Sequence, residues 1–135
     1  MSWRQSLIRI STYEVETLQK RLSEVVDRRV EAEGRLARLA DQVRAEMDHA
    51  RRDSEAAMRL NAYMSGAKVR REAIEAELVQ IGLEEAGARD ALGAAFESLK
   101  KFEQVAEWAR VAEVKEAGRR EAAALDELGL RTRAG

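Results

Sequence analysis

Apolar residues recur along this chain at alternating three- and four-residue steps. The series starts at Val15 and runs through Leu18, Leu22, Val25, Ala32, Leu36, Leu39 and Val43. It resumes at Leu60 and passes through Met64, Ala67, Ile74, Leu78, Ile81, Leu92, Ala95, Leu99 and Phe102. A mean spacing of ~3.5 residues keeps one narrow stripe against a partner helix, which is the condition for a coiled coil. The 135 residues include no proline, and a proline inside a helix costs roughly 3 kcal/mol. Charged residues make up 36% and aromatics 4%, a mixture suited to long helices and too poor in aromatics for a thick core. A two-helix rod has no cleft for catalysis, so the functional question becomes which partners it touches.

The stripe weakens over residues 44–57, where its positions are Glu46, Ala50, Asp53 and Ala57. Arg51 and Arg52 suit a helix C-terminus, and Asp53 or Ser54 suits the N-cap of a new helix. We therefore expect an all-α fold, a long antiparallel two-helix coiled-coil hairpin forming a single domain over residues 1–135. Its first helix is expected at about 4–51, a turn at about 51–55, a second helix at about 55–128 and a short tail at 129–135. Ser65-Gly66 is a second candidate turn, with Gly66 as a C-cap. Because the three-four register passes through 44–57 without a slip, a continuous helix that dimerises is the alternative. Ser11 with Glu14 fits a capping box but could equally lie inside a helix begun earlier. Glu16 with Lys20, Glu24 with Arg28 and Glu31 with Arg35 have the spacing of pairs along one helix face. Arg29 and Arg71 fall on the stripe, either fixing register or laying their stems across it.

The formal net charge is −1 and cysteine is absent. No overall field draws the chain to nucleic acid or an anionic membrane. Disulfides and thiolate metal sites are excluded, which suits a reducing compartment. No apolar run approaches the ~20 residues of a membrane span, and Arg4 and Arg9 interrupt the opening stretch where a signal peptide would be apolar. The expectation is a soluble cytoplasmic protein with no cofactor, no metal, no nucleic acid and no membrane insertion. His49 is the single histidine, too little for a histidine-based metal site or a catalytic triad. Glycine-rich phosphate loops are missing. Candidate contact residues are Met58, Leu60, Tyr63 and Met64 just after the turn, where tyrosine and methionine suit adaptable protein surfaces. Val105, Trp108, Val111 and Val114 continue an apolar stripe with less cover from the first helix, and uncovered stripes mark partner surfaces.

Three segments carry a family resemblance. The run Ala94-Ala95-Phe96-Glu97-Ser98-Leu99-Lys100-Lys101-Phe102-Glu103 is similar to the "AFxELKKxE" segment of FliJ-type flagellar export proteins. The stretch from Arg119-Arg120-Glu121 to Asp126-Glu127-Leu128 resembles their "RREQAxLDE" tail. Leu7-Ile8-Arg9-Ile10 followed by Tyr13-Glu14-Val15 resembles their "LxRLxxFEVDE" opening. The resemblance implies an antiparallel two-helix coiled coil shaped like the stalk of a rotary ATPase. It implies a non-enzymatic part in flagellar type III export, cytoplasmic and peripheral to the inner membrane. The implied partners are the export ATPase hexamer, the cytoplasmic domain of the membrane export gate and export chaperones. Tyr63 and Met64 would then fall near the gate contact, and Leu99, Phe102 and the segment with Trp108 toward the ATPase. A stalk protein of a virulence-type secretion system shares this architecture, and a structural coiled-coil spacer, monomeric or homodimeric, is the rival reading.

Overall fold

Ser2 starts the first helix well before the stripe begins. Its hydroxyl accepts the Gln5 N–H at 3.2 Å, while the Gln5 side chain accepts the Ser2 N–H at 3.1 Å. This reciprocal cap satisfies two orphan donors and is worth about 1 kcal/mol. In the computed structural model, which describes residues 2–134, helix α1 consequently spans Trp3–Arg52. Ser11 therefore lies inside the helix, buried on the stripe, rather than at its start.

Helix α2 spans Ser54–Ala134, leaving Asp53 alone between the two helices. Its N–H still donates to the His49 carbonyl at 3.1 Å, and its own carbonyl already accepts the Ala57 N–H at 3.0 Å. The Asp53 carboxylate accepts the Glu55 N–H at 3.0 Å and so caps α2. His49, Arg51 and Arg52 face the negative end of α1, and Glu55 the positive end of α2, the favourable sense for both dipoles. No described residue has a positive φ, so the corner needs no glycine. Ser65 and Gly66 lie within α2 and form no turn. The second helix runs past the Leu128 boundary expected from sequence. Nothing between 129 and 134 breaks it, and it gains a Thr132 hydroxyl bond to the Leu128 carbonyl at 2.9 Å and an Arg131–Glu127 pair at 2.9 Å. Gly135, the end of the expected tail, lies outside the described residues.

The architecture is all-α, two long helices joined at Asp53 as a hairpin, with no strand among the described residues. The chain divides into two packed units. A corner unit comprises Glu16–Gly93, and an end unit joins the chain up to Val15 with the chain from Ala94 onward. In the corner unit Val25, Ala32 and Ile81 form the core, with Leu78 packed against it. Ala32 and Ile81 are wholly inaccessible to solvent. In the end unit Ser11, Val15 and Ala95 are buried, and Leu99, Phe102, Ala106 and Ala109 are half-buried. An Arg4–Glu113 ion pair ties the two helices there.

The ion pairs correct one sequence expectation. Arg28 and Arg35 do not spend their guanidinium groups on Glu24 and Glu31. They bridge the helices, Arg28 to Glu84 and Arg35 to Glu77, while Glu16 and Lys20 form no ion pair among the described residues. Residues immediately before a stripe position sit beside the seam, close enough for a long arginine to cross it. The midpoints of the crossing pairs, 28 with 84, 29 with 85 and 35 with 77, fall at residue 56 or 57 rather than at the corner. Side chains lean toward the N-terminus of their own helix. In an antiparallel pair the two leans add, which displaces each contact toward higher residue numbers.

Candidate functional site

An open groove and an exposed apolar surface are the candidate contact places. The first lies in the corner unit, where an open groove of about 840 Å³ runs between α1 and α2. Leu36, Leu39, Ala40 and Val43 form its α1 wall, and Met64, Ser65, Ala67 and Lys68 most of its α2 wall. The groove opens where small side chains meet: from 44 to 57 the stripe holds no large apolar group, and Ser65 and Ala67 are too small to fill the opposite side. Arg44, Lys68, Arg71 and Glu75 rim it. Arg44 is held by Asp41, and Arg71 stands 3.8 Å from Glu75.

The second feature is the exposed apolar surface of the end unit. Trp3 and Trp108 are each 64% exposed, and Ile10, Val105, Val111 and Val114 are also open to solvent.

The sequence-chosen residues divide between the two places. Met64 lines the groove. Leu60 is half-buried on the seam. Tyr63 is half-buried beside it, with the Arg70 guanidinium 5.8 Å from its ring centre. Met58 is 85% exposed. Leu99 and Phe102 sit half-buried on the seam of the end unit, while Trp108 projects from it. Four of the seven residues (Leu60, Met64, Leu99, Phe102) thus belong to the packing stripe, and Met58 and Trp108 are the freely presented ones. Trp3 and Ile10 were missed. Their signal was positional: like Trp108, each immediately precedes a seam residue.

Electrostatics run through the seam as well as around it. Arg29 sits on the stripe and reaches across to Glu85 at 3.2 Å while holding Glu33 on its own helix at 3.1 Å. Glu85, itself on the stripe and only 14% exposed at its side chain, also receives Arg89. Hydrogen bonding to Glu33, then the charge of Glu85, pushes the Arg29 pKa up. Bonding to Arg28 and to Arg35 pulls Glu84 and Glu77 below the ordinary carboxylate value. Arg71 stays exposed and reaches only along its own helix. His49 lies on the surface, 3.7 Å from the Asp53 carboxylate. Among the described residues no cluster of three or more metal-ligating side chains occurs, and no helix is long and apolar enough to cross a membrane. The arrangement offers surfaces for partners and no convergent polar site.

No protein-family model and no solved structure matches the chain. Curated proteins do. Flagellar FliJ proteins from two strains of Caulobacter vibrioides are each 48% identical to it over 129 residues, covering 96% of this chain and 93% of theirs. Identity at that level across nearly the whole of both sequences places the chain in the FliJ family of flagellar proteins.

Proposed function

We propose that the chain is a non-enzymatic component of the flagellar type III protein export apparatus. In this reading it couples the export ATPase ring to the cytoplasmic domain of the export gate and to export chaperones. It works in the cytoplasm, peripherally associated with the apparatus at the inner membrane. The observation that carries the reading is the match to flagellar FliJ proteins over 96% of the chain. The geometry supports it too. Each unit covers its seam with its own second helix, which leaves a second copy little to bury and favours a coupling element over a dimeric spacer. Large side chains outside the seam are presented near the corner, at Met58, with Tyr63 half-buried nearby, and in the end unit, at Trp108.

In this assignment Met58, Leu60, Tyr63 and Met64 meet the gate, and Leu99, Phe102 and Trp108 meet the ATPase. The test is ATP hydrolysis by the purified ring with and without the chain, paired with binding measurements to the ring and to the gate domain. The expected result is a changed hydrolysis rate and saturable binding to both. Met58→Ala with Tyr63→Ala should weaken gate binding and leave the effect on hydrolysis intact, and Trp108→Ala should do the reverse. An unchanged rate together with no binding to either partner overturns the proposal.

A further inference from the structure

One edge of the end unit stays apolar although the seam beside it is already closed. A simple rule locates that edge. In the corner unit, residues that immediately precede a seam position meet across the helix pair: Arg28, before Arg29, meets Glu84, before Glu85, and Arg35, before Leu36, meets Glu77, before Leu78. Leu7, Ser98, Val105 and Ala112 hold this same heptad place. Trp3, Ile10, Lys101, Trp108 and Lys115, which precede the other seam position of each heptad, lie on the same side of their helix but farther from the partner helix. The apolar ones in the end unit are Trp3, Leu7 and Ile10 on α1 and Val105, Trp108 and Ala112 on α2. Instead of ion pairs the edge carries two tryptophans, each 64% exposed, and an isoleucine 66% exposed.

Charge distinguishes this edge further. The α2 residues on it between 98 and 119 are Ser98, Lys101, Val105, Trp108, Ala112, Lys115 and Arg119, with three cations and no carboxylate. Arg119 is engaged by Glu116 at 2.9 Å, but Lys101 and Lys115 are in no ion pair among the described residues. On α1 the edge has one carboxylate between residues 3 and 17, Glu14.

We propose that this edge is a docking surface for an acidic amphipathic helix of another protein. The apolar residues fall at helical steps on both strands of the edge, 3, 7, 10 and 105, 108, 112, the spacing a third helix reads with its own stripe. Leu7 is half-buried beside the seam and Val105 is 42% exposed, so both stand lower than Trp3 and Trp108. A helix ridge fills such a furrow, whereas a flat bilayer rests on the tryptophans alone. Lys101 and Lys115 bracket Trp108 one heptad away on either side, so carboxylates flanking the incoming stripe find both. A second copy of this chain on a two-fold axis would set this cationic edge against itself, which like-charge repulsion opposes. The edge is defined by the chain's own residues and holds whether or not the export reading does.

The chain's two tryptophans both lie on this edge, so intrinsic fluorescence reports docking directly. The probe is a tryptophan-free synthetic helix of roughly three heptads, with leucine at alternating three- and four-residue steps. One version carries glutamate beside the stripe and the other lysine. With the full chain, the glutamate helix should give a saturable blue shift of emission that weakens with salt, and the lysine helix should bind at least about tenfold more weakly. Lys101→Glu with Lys115→Glu, exposed positions whose circular dichroism should match the parent, reverses that preference. No emission change with the glutamate helix, or equal responses to both helices, overturns the proposal. So does a shift seen only with phosphatidylglycerol vesicles, which assigns the edge to a lipid surface, or one that appears with rising chain concentration alone, which assigns it to a second copy.

Discussion

Single side chains in a two-helix protein carry unusual weight, because each layer of the seam holds only a few. Ile81 is wholly buried against Val25, Ala32 and Leu78. Ile81→Ala should lower unfolding stability by about 2–3 kcal/mol, measured by urea denaturation. That is the lower part of the range for such truncations, since two helices enclosing one layer can close part of the void. The seam pair Arg29–Glu85 leads to a different expectation. Taking two charges out of water offsets much of their attraction, and replacing such a pair with apolar groups is often neutral or stabilising. Arg29→Leu with Glu85→Leu should therefore melt no lower than the parent, whereas Arg29→Leu alone, which leaves Glu85 with only Arg89, should melt lower. A double variant that melts well below the parent would show that the pair contributes more than its desolvation costs. The pair's further role is register, because a shifted α2 would leave both charges unmatched on an apolar stripe.

At the scale of elements the notable part is the corner. One residue, Asp53, separates helices of 50 and 81 residues. Its carboxylate caps α2 at 3.0 Å, and a cap of this kind is worth about 1 kcal/mol. Alanine there removes the cap and supplies the best helix former. Because the stripe crosses 44–57 without a change of phase, an opened helix keeps its seam. Asp53→Ala should thus raise the dimeric fraction in sedimentation equilibrium, two extended chains pairing where one folded back. A variant that stays monomeric at every concentration would mean that seam packing alone holds the corner. The stripe residues were legible because burial in a helix pair is written as a period, and Val15 through Phe102 all end buried or half-buried. The start of α1 was legible too, in Ser2-x-x-Gln5, but it lay outside the apolar pattern that guided the reading. What the sequence hid were choices between near-equal partners. Glu24 and Glu84 both lie within reach of Arg28, and only the fold decides that the hydrogen bond goes to Glu84. The groove was equally hidden, because it arises from what two distant stretches, 36–43 and 64–68, fail to fill together.

For the whole molecule, charge ties stability to solution conditions. Glu77 and Glu84 lie below 4.5 in the folded chain, chiefly through the hydrogen bonds from Arg35 and Arg28. A depressed folded pKa adds stability that is complete above the unfolded value and is lost as pH falls through the folded one. The arginines move upward from their ordinary value and stay charged throughout. The melting midpoint followed by circular dichroism should therefore begin to drop below pH 4.5. The drop should be shallower in a variant carrying Arg28→Gln and Arg35→Gln, which no longer links these carboxylates to folding. Added salt should shrink the difference between the two proteins at neutral pH, since all four groups are near the surface.

The unbroken stripe has a practical corollary for anyone wishing to vary how far this protein reaches. Excising one heptad from each arm, for example 16–22 together with 86–92, keeps both periods in step, spares the Val25, Ala32, Leu78 and Ile81 core, and trims the corner unit by about 10 Å at ~1.5 Å per residue. Such a foreshortened chain keeps the Asp53 corner and the apolar edge of the end unit while shortening the corner unit alone. Swimming assays with a graded series would then report span as a quantity in its own right, apart from stickiness or fold.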